Sequence, residues 1–412
     1  MNLELFIAKR LYGTRKGTRR ISRPAVTIAQ WGIAVGAMIM FVSICIIVGF
    51  KHQVRDKAIG FGGHIQIRSY ASSTDGEIPI TADSILLGEL NCTPGVDHVQ
   101  RYAAKPGMIV ANNEYEGILI KGIGAEYDCT FFSKATVEGG MPAFSDSVRG
   151  GNIVISQATA KKLNVKAGDR VNTYFLQGGV KVRRMNVAAV YETHLSEMDN
   201  VFALTDIGTI QGLNDWGEDE VSALEITVDN IDDIYRTRDE VSHAVIEASA
   251  RNGEELYVPT IDELYPALFS WLDILDQTVW LILVLVLCIA GFTMISGLLI
   301  LILEKSNFIG ILKAVGAKDI SIRKIFIYYA CFIIGKGLLA GNIIAAALCL
   351  VQRESGIVAL DPEMYYMDRV PIEFSWILLP MNAGMFIVSA TMLVLPSMII
   401  SHITPTKAIK FE

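Results

Sequence analysis

Residues 308–316 read Phe308-Ile309-Gly310-Ile311-Leu312-Lys313-Ala314-Val315-Gly316 and lie between two long apolar runs. Phe308, Leu312 and Val315 fall at i, i+4 and i+7, so a short helix presents them as knobs for a groove in another protein. Gly316 suits the left-handed position that closes such a helix. Ala317-Lys318-Asp319 then restarts a helix that continues into the next apolar run. The chemistry on offer is mechanical: docking and the transmission of force, with no bond made or broken. A plain helix-turn-helix connector has the same pattern.

Other candidates are few. Lys336, in CFIIGKGLLAGN, is the only strongly charged residue well inside an apolar stretch. In a membrane such a lysine meets a polar contact in a bundle interior or cavity, or it snorkels from a tilted span. His194, in ETHLSEMDN, has acidic neighbours but no second ligand at a metal-binding spacing, so a surface histidine is expected and no metal site. No Walker-type phosphate loop, HExxH, GxSxG or paired CxxC motif occurs. The chain is therefore not itself a nucleotide-driven motor, and no catalytic residue is expected. Cys92 and Cys129 could pair in an oxidising compartment or remain two free thiols.

The elements that position these residues follow from composition. Hydrophobic residues make up 51% of the 412 and charged ones 19%, with a mean hydropathy of +0.39. The apolar residues gather in four stretches, 26–50, 273–303, 323–351 and 374–401, each long enough to cross ~30 Å of hydrocarbon. Gly32-xxx-Gly36 and Gly337-xxx-Gly341 permit close helix packing. Residues 1–25 read as an amphipathic interfacial helix with a basic cluster suited to anionic lipid. Between the first two spans lies 51–272, with 19 basic and 32 acidic residues.

Short strands (GGHIQIRSY, MIVANN, GILIKGI, GNIVIS, MNVAAVYET, SALEITV) alternate there with helices at SQATAKKLNVKAGD and DDIYRTRDEVSHAVIEASARNG. Trp271 and Trp280 sit where interface anchors belong. The expected fold is an α-helical membrane protein with four transmembrane helices and a large α+β domain inserted between helices 1 and 2. The first 24 residues hold seven Lys or Arg against one acid, and 304–324 holds five basic residues against two acidic ones. By the positive-inside rule both termini, the 304–322 loop and the 402–412 tail face the cytoplasm. The 51–272 domain and the short acidic 352–373 loop face outside.

EKSNFIGILKAVGAKDISIRKIF resembles the coupling-helix signature of the FtsX/MacB-like superfamily of ABC transporter permeases, and more specifically the LolC/LolE type. Three more stretches carry the resemblance: residues 6–67, GGNIVISQATAKKLNVKAGDRV with MNVAAVYETHLSEMDN, and the ending LPSMIISHITPTKAIKFE. Together they cover nearly the whole chain in order. The resemblance implies a MacB-like architecture in a bacterial inner membrane and a separate cytoplasmic ATPase dimer that holds the ATP and Mg. It also implies a second permease subunit, identical or homologous, a triacylated lipoprotein substrate, a periplasmic carrier and contact with membrane lipids; no nucleic acid is expected.

In the family the lipid enters between the first two spans, which here points to Met40, Ile44, Ile47, Val48, Leu281 and Val284. The family's carrier-recruiting hairpin matches NTYFLQGGVKVRRM, a short hairpin turning at Gln177, Gly178 and Gly179. Phe308 stands where many relatives have an acidic residue, so the ATPase contact leans on aromatic packing. Two other roles fit the superfamily: a MacB-like mechanotransmitter for efflux, and an FtsX-like regulator of a periplasmic cell-wall hydrolase.

Overall fold

The computed structural model describes residues 3–13, 22–70, 78–145, 151–176 and 179–398. Residues 15–21 of the basic cluster Arg15–Arg23, Gln177, Gly178 and the expected tail 402–412, with its Lys407 and Lys410, lie outside the described residues. The chain divides into a helical unit (Met1–Lys51, Trp271–Ala359, Arg369–Glu412) and a sheet domain (His52–Ser270, Leu360–Asp368).

Among the described residues, three helices of the helical unit are long and apolar enough to cross a membrane: Ser22–Gly62, Pro266–Glu304 and Asp319–Ser355. All three overrun the expected spans, and the first continues unbroken past residue 50 into the sheet domain. Within the fourth expected span the described residues form a shorter apolar helix. Its helix runs over Leu378–Met392 and restarts only as Val394–Ser397. Pro396 explains the break, since it has no N–H to donate to the Met392 carbonyl and its ring crowds that oxygen. Fifteen residues reach only about 22 Å, less than the ~30 Å hydrocarbon core. The amphipathic helix Leu3–Gly13 packs along Asp319–Ser355, burying Ala8 and exposing Leu3, Leu5 and Phe6.

The small residues set the helix spacing. A Cβ at Gly337 would press on the Gln30 carbonyl and on Ile33, and one at Gly341 would overlap the Ala34 carbonyl oxygen. The first and third spans thus meet backbone to backbone. Gly36 faces Val286 and Met385. A polar link joins the third span to the fourth helix, where the Asn342 amide donates to Asn382 Oδ1 at 2.8 Å. Gly341→Val is expected to cost about 1–3 kcal/mol through forced separation of the two helices. A lower unfolding temperature in detergent checks this; unchanged melting would mean that the spans do not pack there.

The sheet domain confirms the strand and helix expectations. Its sheet runs in the order Leu256–Tyr257, Ile65–Ser69, Ala223–Val228, Val96–Ala111, Glu114–Ile123, Phe202–Asp206, Asn152–Ser156, Lys181–Tyr191, Thr136–Gly139. Arg170–Phe175 lies off this path and pairs with Val96–Ala111 and Lys181–Tyr191. Two neighbouring pairs are parallel, Glu114–Ile123 with Phe202–Asp206 and Asn152–Ser156 with Lys181–Tyr191. The helix Gln157–Leu163 starts at Ser156, whose Oγ accepts from Thr159 N–H, and stops at left-handed Asn164. Ile234–Asn252 stops at left-handed Gly253.

The first long helix ends inside this domain. Gly63, at φ +68°, turns the chain while its N–H donates to the Ile59 carbonyl. Beyond the turn His64 Nδ1 accepts from Val228 N–H at 3.3 Å. Burial first, then nearby Arg55, lowers the His64 pKa from 6.5 to about 4. The unfolded chain therefore takes up this proton before the folded one does. Stability is fully present above about pH 6.5 and falls by roughly 2–3 kcal/mol as the pH drops to about 4. Thermal unfolding at both ends of this window, with and without His64→Gln, checks it: the variant should lack this part of the acid sensitivity.

Candidate functional site

The short helix forms as its sequence suggests, over Ser306–Ala314. Its end is a Schellman turn: Gly316 sits at φ +94°, Ala317 N–H donates to the Leu312 carbonyl and Gly316 N–H to the Lys313 carbonyl. Lys313 Nζ pairs with Asp319 Oδ1 at 3.0 Å, tying the short helix to the first turn of Asp319–Ser355. This connection makes the two helices one mechanical piece.

The exposed face differs from the expected one. Ile309 is fully buried and Leu312 packs half-buried against the membrane core of the helical unit. Ile311 and Val315 are the outward knobs, at 54% and 84% exposure, with Ala314 beside them. Phe308 is half-buried and Gly310 buried. The exposed apolar stripe is therefore Ile311 with Val315, at i and i+4, and Leu312 packs the helix against its own unit.

Within the helical unit a cavity of about 190 Å³ opens among Met40, Trp280, Val284, Leu287, Met381 and Met385, with almost wholly apolar walls. An apolar cavity of about 150 Å³ can stay dry and take a benzene-sized guest, so this one suits a short stretch of acyl chain. Three methionines give it adaptable walls. Of the six residues expected around a lipid, Met40 and Val284 line the cavity. Ile44 is buried in the helical core, Val48 packs against that core, Ile47 is half-buried, and Leu281 is exposed on the outer surface. The fourth helix, which contributes Met381 and Met385, was not part of the expected site. Trp280, expected as an interface anchor, is a wall of the cavity.

Lys336 does not face the interior of this chain's bundle. Its neighbours Ile333, Ile334, Gly337 and Leu338 are buried, while Lys336 lies on the exposed side of its helix. The hairpin turn retains Gly179 at φ +98° between exposed Leu176 and Val180. Cys92 and Cys129 are free thiols, and burial pushes Cys129 up to about 11.

One cluster escaped the sequence reading. Lys121 and Glu225 are buried in the sheet domain, with side chains 2% and 1% exposed, and pair at 2.5 Å. Lys121 Nζ also donates to the Phe61 carbonyl at 2.7 Å and the Tyr127 hydroxyl at 2.9 Å, and lies 4.6 Å from the Tyr102 ring centroid. Gln100 donates to the other Glu225 oxygen at 2.9 Å, and Gln66 to the Gly62 carbonyl at 2.8 Å. Burial pushes the lysine below its ordinary range while Glu225 opposes the shift. The last carbonyls of the first long helix, the negative end of its dipole, are thus held by a buried cation and an amide. The signal was present as one lysine in GILIKGI and one glutamate in SALEITV, both otherwise apolar strands.

Comparison with known proteins gives the context. The MacB-like periplasmic core domain matches residues 27–244 and the FtsX-like permease C-terminal domain matches 280–405. The lipoprotein-releasing system transmembrane protein LolE of Haemophilus influenzae is 22% identical over 395 residues, covering 92% of this chain and 91% of that protein. LolC of Neisseria meningitidis serogroup B is 22% identical over 405 residues, covering 92% of each chain. The periplasmic region of MacB from Actinobacillus actinomycetemcomitans aligns with a TM-score of 0.36 at 12% identity, over 51% of this chain and 94% of that one. With a MacB-like periplasmic core domain followed by an FtsX-like permease C-terminal domain, the chain belongs to the FtsX/MacB-like superfamily of ABC transporter permeases.

Proposed function

We propose that this chain is the permease subunit that extracts lipoproteins from the inner membrane for delivery to the outer membrane. The observation that carries this reading is the apolar cavity bounded by Met40, Trp280, Val284 and the methionines of the fourth helix, a wall chemistry that fits an acyl chain. A separate cytoplasmic ATPase dimer binds ATP and Mg and receives Ile311 and Val315 in its groove. Both termini and the short helix lie in the cytoplasm, and the sheet domain in the periplasm. A second permease subunit completes the pathway, with Lys336 on the outward face of the third span. The hairpin around Gly179, with Leu176 and Val180 exposed, offers the soluble carrier an apolar tip.

The test is release from proteoliposomes containing the chain, its ATPase and a labelled triacylated lipoprotein. ATP-dependent transfer to a soluble carrier is expected, and Gly384→Phe, which fills the cavity, should reduce it at least tenfold. ATP turnover without transfer would instead favour a MacB-like mechanotransmitter whose output lies in the periplasm.

A further inference from the structure

The segment Leu360–Asp368 joins, in sequence, the helix Asp319–Ser355 to the helix Leu378–Met392, yet it belongs to the sheet domain. Its base is closed by Leu360 N–H donating to the Asp368 carbonyl at 2.9 Å. Four contacts fasten it. Asp368 Oδ1 meets His194 Nε2 at 3.1 Å, and Lys57 Nζ donates to the Tyr366 carbonyl at 2.5 Å. The Tyr366 hydroxyl bonds to Glu197, and its ring rests against the aromatic cluster that includes Phe61, Phe132 and Tyr191. Met367 is buried.

The receiving loop is prepared for this contact. Asp199 is buried and accepts from Thr193 Oγ1 at 2.6 Å and Thr193 N–H at 3.1 Å, which shapes the turn that presents His194. His194 and Tyr366 both hold left-handed backbone, at φ +62° and +60°. Four other non-glycine residues with positive φ are asparagines or an aspartate, for which that region is ordinary. A bulky tyrosine there is strained, and strain held at a contact marks a place where two states compete. The contacts are also weakly sealed, since Asp368 is 65% exposed and water competes for its carboxylate.

We propose that Leu360–Asp368 is a releasable strap: it fastens to the sheet domain through His194, Lys57 and Glu197, and it detaches and re-fastens in each transport cycle. Fastened, it covers the aromatic cluster beside Phe61 and closes on the His194 turn; detached, it leaves both open. The role in transport rests on the permease reading above, but the opening of the strap can be measured without it.

The test places cysteines at both ends, His194→Cys with Asp368→Cys, in a chain carrying Cys92→Ser and Cys129→Ser. A short, reducible bis-methanethiosulfonate reagent bridges the pair in proteoliposomes. Cross-linking is expected without nucleotide and to fall at least threefold during ATP turnover. The bridged protein should lose at least tenfold of its transfer while still hydrolysing ATP, and reductant should restore it. No cross-link in any state, or a cross-link insensitive to ATP that leaves transfer intact, overturns the strap. If the unbridged variant transfers nothing while the unsubstituted chain does, the fall of cross-linking during ATP turnover alone decides the strap. If the unsubstituted chain itself transfers no lipoprotein, the permease reading fails and the cross-linking response to ATP alone still decides the strap.

Discussion

Val315→Asp is expected to uncouple ATP hydrolysis from transfer while leaving the membrane helices folded. Val315 is 84% exposed and just past the last turn of the short helix, so in this chain alone a carboxylate there meets only water. In a protein groove the same carboxylate would be buried without a partner, and truncating a central apolar knob already costs about 2 kcal/mol or more in typical interfaces. A loss of coupling of about thirtyfold or more follows. Ile311→Asp should behave in the same way. Leu312→Asp should differ, because Leu312 packs on the helical core and its replacement loosens the helix itself. Measuring ATP turnover, transfer and thermal stability for the three variants separates the cases. If Val315→Asp and Ile311→Asp both transfer normally, Ser306–Ala314 is a connector and nothing more.

The second large effect concerns Lys121. Lys121→Met is expected to destabilise the sheet domain by about 3–5 kcal/mol, because Glu225 remains as an unpaired buried charge. At this domain size that corresponds to a fall in Tm of roughly 10 °C. Lys121→Met combined with Glu225→Leu removes both charges and should recover most of the loss, apart from about 1–3 kcal/mol for the Phe61 carbonyl and Tyr127 hydroxyl left without their donor. The double-mutant cycle in the full-length chain in detergent measures this coupling directly. Equal damage from the single and double variants would mean that charge balance is not what the network supplies.

Local patterns were readable and docking choices were not. The three long spans, the strands and the turn at Gly316 each depend on hydropathy, alternation or one backbone conformation, and all stood in the sequence. The outward face of 308–315 did not, because Phe308, Ile309, Ile311, Leu312 and Val315 leave almost no polar side to the helix. Packing against the membrane core chose Ile309 and Leu312 for the inside. The cavity has the same history: periodicity shows that Met40 and Val284 are apolar, while only tertiary contact brings Met381 and Met385 to them. The interruption of the fourth helix at Leu393 was not legible either, because hydropathy does not register the hydrogen bond that Pro396 removes.

The helix Ser22–Gly62 is unbroken over 41 residues. At 1.5 Å per residue its 41 residues span about 61 Å, so a tilt of roughly 5° at one end carries the other by about 5 Å. Its far tip is gripped at the Phe61 carbonyl by Lys121 and at the Gly62 carbonyl by Gln66. The hold is on backbone oxygens, so no side-chain substitution in the helix's last turn can remove its acceptors; only Lys121 and Gln66, from the sheet side, can let it go.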